Sequence, residues 1–268
     1  MDSMFYGASN FNENISTKYD ISNDLIAWDV SGATDKQQVF LNAHAFNNGD
    51  LSGQSNNPLN WNIGQAINLQ QMFSGATSFN QPIDFSHVII DMSGANTYQY
   101  KQWDVSGVKR MGQLFNGCTS FNQSISNWNT SKVTKMIEMF KNASNFNQPL
   151  IWQTDSVDNM RSMFEGASSF NQNLSYRLVN NNHVWNMENV KNIQDMFKNA
   201  SSFNNGDTAF RWNILSISGD AMTRLFYGAS SFNQDINTTS LVNPSIPLWD
   251  VSQVTHFREI FDSATSFN

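Results

Sequence analysis

Apolar positions along this chain recur in one stripe. Met136, Met139, Phe140 and Ala143 stand at i, i+3, i+4 and i+7, and Leu69, Met72, Phe73 and Ala76 repeat the spacing, as do Met111, Leu114, Phe115 and Cys118. That periodicity predicts a short amphipathic helix of about two to three turns. After each stripe comes Phe-Asn-Gln-x-Ile or a close variant, as at residues 121–125 and 146–150. This segment is short and bounded by polar residues, which predicts a strand.

The stripe belongs to a longer repeat. Phe-x-x-Ala-x-x-Phe-Asn begins at Phe5, Phe40, Phe73, Phe115, Phe140, Phe164, Phe197, Phe226 and Phe261, nine copies without an internal gap, and only Cys118 departs from the Ala slot. Trp28, Trp61, Trp103, Trp128, Trp152, Trp185 and Trp249 each precede the next motif's first Phe by 12 residues, and Trp212 does so by 14. A period of about 25 residues is one at which a supersecondary unit stacks on its neighbours and buries a continuous core. The expected fold is therefore an α/β solenoid over 1–268, resembling a leucine-rich-repeat stack, with a short helix and a short parallel strand per repeat. Its core would hold all eight tryptophans together with Phe73, Phe79, Phe115, Phe121, Phe140, Phe146, Phe164 and Phe170. The Ala slot must be small because the chain approaches itself there, and a larger side chain would overpack.

Val-Thr-x-Met-x-x-Met-Phe-x-x-Ala-x-x-Phe-Asn-Gln, read at 133–148, resembles the bacterial surface protein 26-residue repeat, a relative of the BspA-like leucine-rich repeats. The resemblance runs through essentially the whole chain. It implies an extracellular or surface-attached protein used for adhesion or recognition, and it carries over no catalytic residue, because the shared positions are packing positions.

Composition narrows the function classes. A net charge of −7, with Lys and Arg totalling 15, argues against nucleic acid as a partner, since phosphate binding needs a basic face. The lone cysteine, Cys118, cannot form an internal disulfide and, in an Ala slot, reads as a buried, inert thiol. No run of apolar residues is long enough to cross a membrane, and the first residues lack a basic start followed by an apolar stretch. Lys36 occupies the slot filled elsewhere by Met111 or Met136, so local packing there is expected to weaken. The chain enters mid-repeat at Met1 and stops at Asn268, just after the ninth motif. Neither end shows a polar cap, which points to a piece of a longer polypeptide or to stacking on a partner.

The repeats differ mainly in the span from the motif's second Phe to the next Trp. It is 7 residues from Phe121 to Trp128 and 6 from Phe146 to Trp152, but 17 from Phe11, 24 from Phe79, 15 from Phe170 and 17 from Phe232. The corresponding insertions at 16–27, 84–102, 175–184 and 237–248 enter at one position, so they should emerge along one edge. Their rings and amides suit protein or carbohydrate recognition, which makes Tyr19, His87, Tyr98, Tyr100, Tyr176 and His183 the candidate binding residues. Asn-Asn-Gly-Asp ends at Asp50 and again at Asp207. These oxygens are of the kind calcium takes, but neither sequence continues as a twelve-residue loop with a terminal Glu, and turn chemistry accounts for them as well. The four histidines lie in different repeats and no nucleophile or phosphate-loop motif is present. No enzyme, cofactor or metal is expected. Two readings remain: an adhesion or recognition module that binds through its loop edge, and a structural building block of an extracellular assembly or virion that self-stacks through its ends.

Overall fold

A computed structural model describes residues 1–52, 57–84, 86–92, 97–236 and 249–268. Where the stripe predicts helix, the chain makes consecutive β-turns. Among the described residues there is no α-helix, and the one helical element is a 3-10 turn at Asn205–Asp207. The expected α/β solenoid, with a helix and a parallel strand in every repeat, is therefore overturned.

The reason lies in the hydrogen bonds of one copy. Met139 N–H donates to the Met136 carbonyl at 3.3 Å and Ala143 N–H to the Phe140 carbonyl at 3.0 Å, each closing a four-residue turn. The third residues of these turns, Glu138 and Asn142, sit at φ 54° and 58°, the left-handed conformation that a type II turn requires and a helix excludes. Turns laid end to end also bring i, i+3, i+4 and i+7 onto one side, so the helical period appears without a helix. The alternate N–H groups point along the stack. Met136, Glu138, Phe140 and Asn142 donate to the carbonyls of Asn159, Arg161, Met163 and Glu165 in the next copy, at 3.1, 2.9, 2.8 and 2.7 Å. Each copy is thus one coil laid against the next, and parallel bridges link Asp35, Asn68, Arg110, Lys135, Asn159 and Asn192 in sequence.

The residue before each Ala slot carries this geometry. It is Gly7, Asn42, Gly75, Gly117, Asn142, Gly166, Asn199, Gly228 and Ser263, all with φ between 58° and 73°. Glycine adopts that region freely and asparagine is the side chain that tolerates it best. At this place coils fit closely: a Cβ added to Gly166 would stand 2.4 Å from Asn142 Oδ1, and one added to Gly75 2.5 Å from Asn42 Oδ1.

The expected Phe-Asn-Gln strand is also absent. Instead the asparagines form a ladder running down the molecule. The N–H of Asn47, Asn80, Asn122, Asn147, Asn171, Asn204 and Asn233 each bonds the side-chain oxygen of the preceding coil's asparagine, at 2.7 to 3.0 Å. A side chain here does what a strand's backbone would do. Inside lie three aromatic columns. Phe73 and Phe115 are 5.7 Å apart, Phe121 and Phe146 5.8 Å, and Trp128 and Trp152 6.3 Å, with the planes of each pair nearly parallel. From Trp61 onward each indole N–H is spent on a carbonyl of an earlier coil, as from Trp152 to Ile125 at 3.0 Å and from Trp185 to Leu150 at 2.9 Å. The core anchors from Trp61 to Trp249 are buried, whereas Trp28 in the first coil is only half-buried.

Candidate functional site

The strands that do form belong to the insertions. β1 (Lys18–Asp20) pairs antiparallel with β2 (Leu25–Ala27), β3 (Ser86–Asp91) with β4 (Thr97–Gln102), and β5 (Arg177–Val179) with β6 (Asn182–Val184). All three hairpins end on a tryptophan in the left-handed region: Trp28 at φ 55°, Trp103 at 47° and Trp185 at 53°. For so bulky a residue this conformation is strained. Trp128 and Trp152, which follow the bare connections, are free of it. The same joint therefore returns every described hairpin to the stack. The fourth insertion, 237–248 with Pro244 and Pro247, lies outside the described residues.

The candidate binding residues divide between these hairpins. Tyr19 is half-buried and its hydroxyl donates to Asp24 Oδ1 at 2.6 Å. On β3–β4, the side chains of Val88, Ile90, Tyr98 and Tyr100 alternate inward, and His87, Ile89 and Lys101 outward. Tyr100 is 8 % exposed and its hydroxyl donates to the Asn60 carbonyl. Burial pushes its pKa up to about 12. Its ring lies 5.3 Å from that of Tyr98, and β1 lies against β3. Tyr100 is thus a plug between the hairpin and the stack, with its hydroxyl already committed. Tyr176 and His183 meet each other across β5–β6, hydroxyl to Nδ1 at 2.5 Å with the rings edge to face. Burial, with the nearby Asp155 and Glu188 carboxylates, raises the Tyr176 pKa. The six residues are not brought together into one site.

What the geometry does assemble is a recess of about 530 Å³ beneath β5–β6. Its floor is the two short connections, with Ser126, Asn127, Trp128 and Asn129 from one and Ile151 and Gln153 from the next, and its roof is Val179, Asn180, Asn182 and Val184. Among the described residues no charged side chain lines it. Trp128 is 2 % exposed and its faces are taken by Trp103 and Trp152, so it offers an edge only. Ile151 is 40 % exposed. Asn129 Oδ1 accepts the Ser131 N–H at 3.1 Å, while its Nδ2 and the whole Gln153 side-chain amide have no hydrogen-bond partner among the described residues. The guanidinium of Arg177 is spent on the carbonyls of Asn173 and Ser175, at 2.9 and 3.0 Å. Reading ring residues in long loops missed this place. The signal that marks it is a long span directly after the two shortest ones.

The repeat also has a counterpart beyond this chain. One family model matches three times in tandem, over residues 1–90, 83–184 and 178–268, and each match takes in three Phe-x-x-Ala motifs. The chain belongs to the family described as Mycoplasma protein of unknown function, DUF285. No curated protein and no solved structure matches it. DUF285 membership makes this a repeat protein, with a family unit of about 90 residues. The match does not extend to the narrower affinity with BspA-like repeats.

The remaining candidates in this DUF285 chain are absorbed by structure. Asp50 is buried, and its carboxylate accepts from Ser52 N–H at 2.7 Å and from Gln81 Nε2 at 3.0 Å. Asp207 accepts from Asn204 Nδ2 at 2.8 Å. Both act as turn acceptors, and among the described residues no group of three metal-ligating side chains comes together. Cys118 is buried, its thiol facing the Phe73 carbonyl at 2.8 Å, and burial pushes its pKa upward. Among the described residues no helix is long and apolar enough to cross a membrane.

Proposed function

We propose that this chain is a non-enzymatic recognition module at a cell surface, and that its hairpin edge is the side that meets the ligand. One observation carries the reading: three hairpins leave a regular stack at one position, each through the same strained tryptophan joint. The other faces are occupied with themselves. The asparagine ladder uses its own side chains, and the turn face pairs its charges between coils, as in Arg224 with Asp195 at 2.7 Å and Lys141 with Glu165 at 2.9 Å. Variable segments on a rigid scaffold are where binding residues concentrate. The likeness of the motif to bacterial surface protein repeats supports an extracellular or surface-attached location.

The test is attachment of beads coated with the full chain to cultured cell layers and to immobilised matrix proteins. Replacing 171–184 by the bare connection 147–151 is expected to reduce attachment several-fold, and Lys135→Ala on the turn face is expected to leave it unchanged. Equal attachment by all three proteins would overturn the reading. Concentration-dependent fibres in sedimentation, together with unchanged attachment, would favour the structural building block instead.

A further inference from the structure

We infer that the recess beneath β5–β6 binds a short neutral oligosaccharide. The inference rests on the recognition reading and names the ligand class for one part of that edge. Its volume, about 530 Å³, falls within the roughly 300–1,000 Å³ typical of small-molecule sites.

Three features select the chemistry. Among the described residues no charged side chain lines the recess, so an ionic ligand would lose hydration without gaining a counter-charge. Five of the ten lining residues are amides, Asn127, Asn129, Asn180, Asn182 and Gln153. A carboxamide presents a donor and an acceptor side by side, which matches adjacent hydroxyls on a sugar ring. Ile151 and Val179 supply apolar patches between the amides, where the C–H faces of the ring can lie.

The molecule itself argues against a polypeptide occupant. Where β3–β4 is covered by another piece of chain, its inner face is Val88, Ile90, Tyr98 and Tyr100, the apolar and aromatic surface that protein packing favours. The open face of β5–β6 carries Asn182 between two valines. A ligand that satisfies amides and tolerates water fits it better than a second hairpin does.

The experiment presents the full chain to an array of neutral hexasaccharides built on glucose, galactose, mannose and N-acetylglucosamine, beside sulfated and sialylated counterparts, and follows hits by calorimetry. Binding to at least one neutral series is expected. Gln153→Ala and Asn129→Ala should each weaken it about tenfold, Ile151→Trp should abolish it by filling the floor, and Leu178→Ala on the outer face of the hairpin should not change it. Binding only to anionic glycans, no binding at millimolar concentration, or binding indifferent to the three recess substitutions would overturn the inference. If the β5–β6 replacement lowers bead attachment while no neutral glycan binds, the saccharide inference falls and the surface reading stands. Saccharide binding with unchanged attachment has the opposite meaning.

Discussion

Hairpins β3–β4 and β5–β6 leave the stack at the same position in their coils and through the same left-handed tryptophan, yet the space beneath the first is filled and beneath the second open. The cause is what precedes each. Before β3–β4 come the β1–β2 hairpin and the residues around Asn60, so the inner residues of β3 and β4 find chain to pack on, and Tyr100 closes the gap by bonding Asn60. Before β5–β6 come the two shortest connections in the molecule, and the hairpin overhangs them. Connection length in neighbouring coils, more than the hairpin's own sequence, decides whether a hairpin is wall or roof.

The largest effect tests whether the floor is common to both regions. Phe73→Ala beneath the filled side and Phe140→Ala beneath the open side should each cost about 3–5 kcal/mol in denaturant unfolding, both rings being fully buried. A large difference between them would mean that the two halves do not share one core. The hairpins should then diverge. Tyr100→Ala is expected to cost about 3 kcal/mol, whereas Leu178→Ala, at 61 % exposure, should stay within about 0.5 kcal/mol. If the two were equal, β3–β4 would not be packed as described.

The filled half also holds a charge that the open half lacks. Lys36 is fully buried in the slot used elsewhere by methionine, with its ammonium on the Ala33 carbonyl. Desolvation lowers its pKa from 10.5 to about 8, against a smaller opposing pull from Asp29. Between those values the unfolded chain keeps the proton and the folded chain does not, so stability rises as pH climbs from about 8 to 10.5, and below 8 the whole penalty is present. Lys36→Met should remove that slope, worth roughly 3 kcal/mol across the window, in melts recorded as a function of pH. A smaller loss concerns the turn face on the open side. Gly166→Ala combines φ 70° with a Cβ 2.4 Å from Asn142 Oδ1 and should cost about 1–2 kcal/mol, because the Asn142 carboxamide is a side-chain end that can move. Asn142→Gly in the same chain should relieve part of that loss.

The repeat, its phase and its buried positions could be read from Phe and Trp spacing, because those residues are placed by packing and packing recurs. The local conformation was misread for a physical reason. A helix and a run of β-turns both return an apolar side chain to one face after three or four residues, so periodicity alone cannot separate them. The separating residues stood beside the anchors: Gly, Asn or Ser before every Ala slot, a column of left-handed positions that a helix would not select. Insertion at one position was equally legible from the spans, but its use was not. Tyr100 and Tyr176 attract notice as rings in loops, and both are already engaged within the fold. Asn129 and Gln153 come directly after the tryptophans that close the two shortest connections, and it is that shortness which opens the recess.

The close fit of Asn142 over Gly166 recurs as Asn42 over Gly75 and Asn199 over Gly228. Copies with asparagine at that position are therefore not freely interchangeable with the rest: each favours glycine in its successor, while glycine copies are followed here by glycine, asparagine or serine. Gene duplications or domain grafts that placed two asparagine copies in succession would meet a steric cost at every such junction, so the order in which such units are most readily shuffled follows a simple grammar written in one residue per repeat.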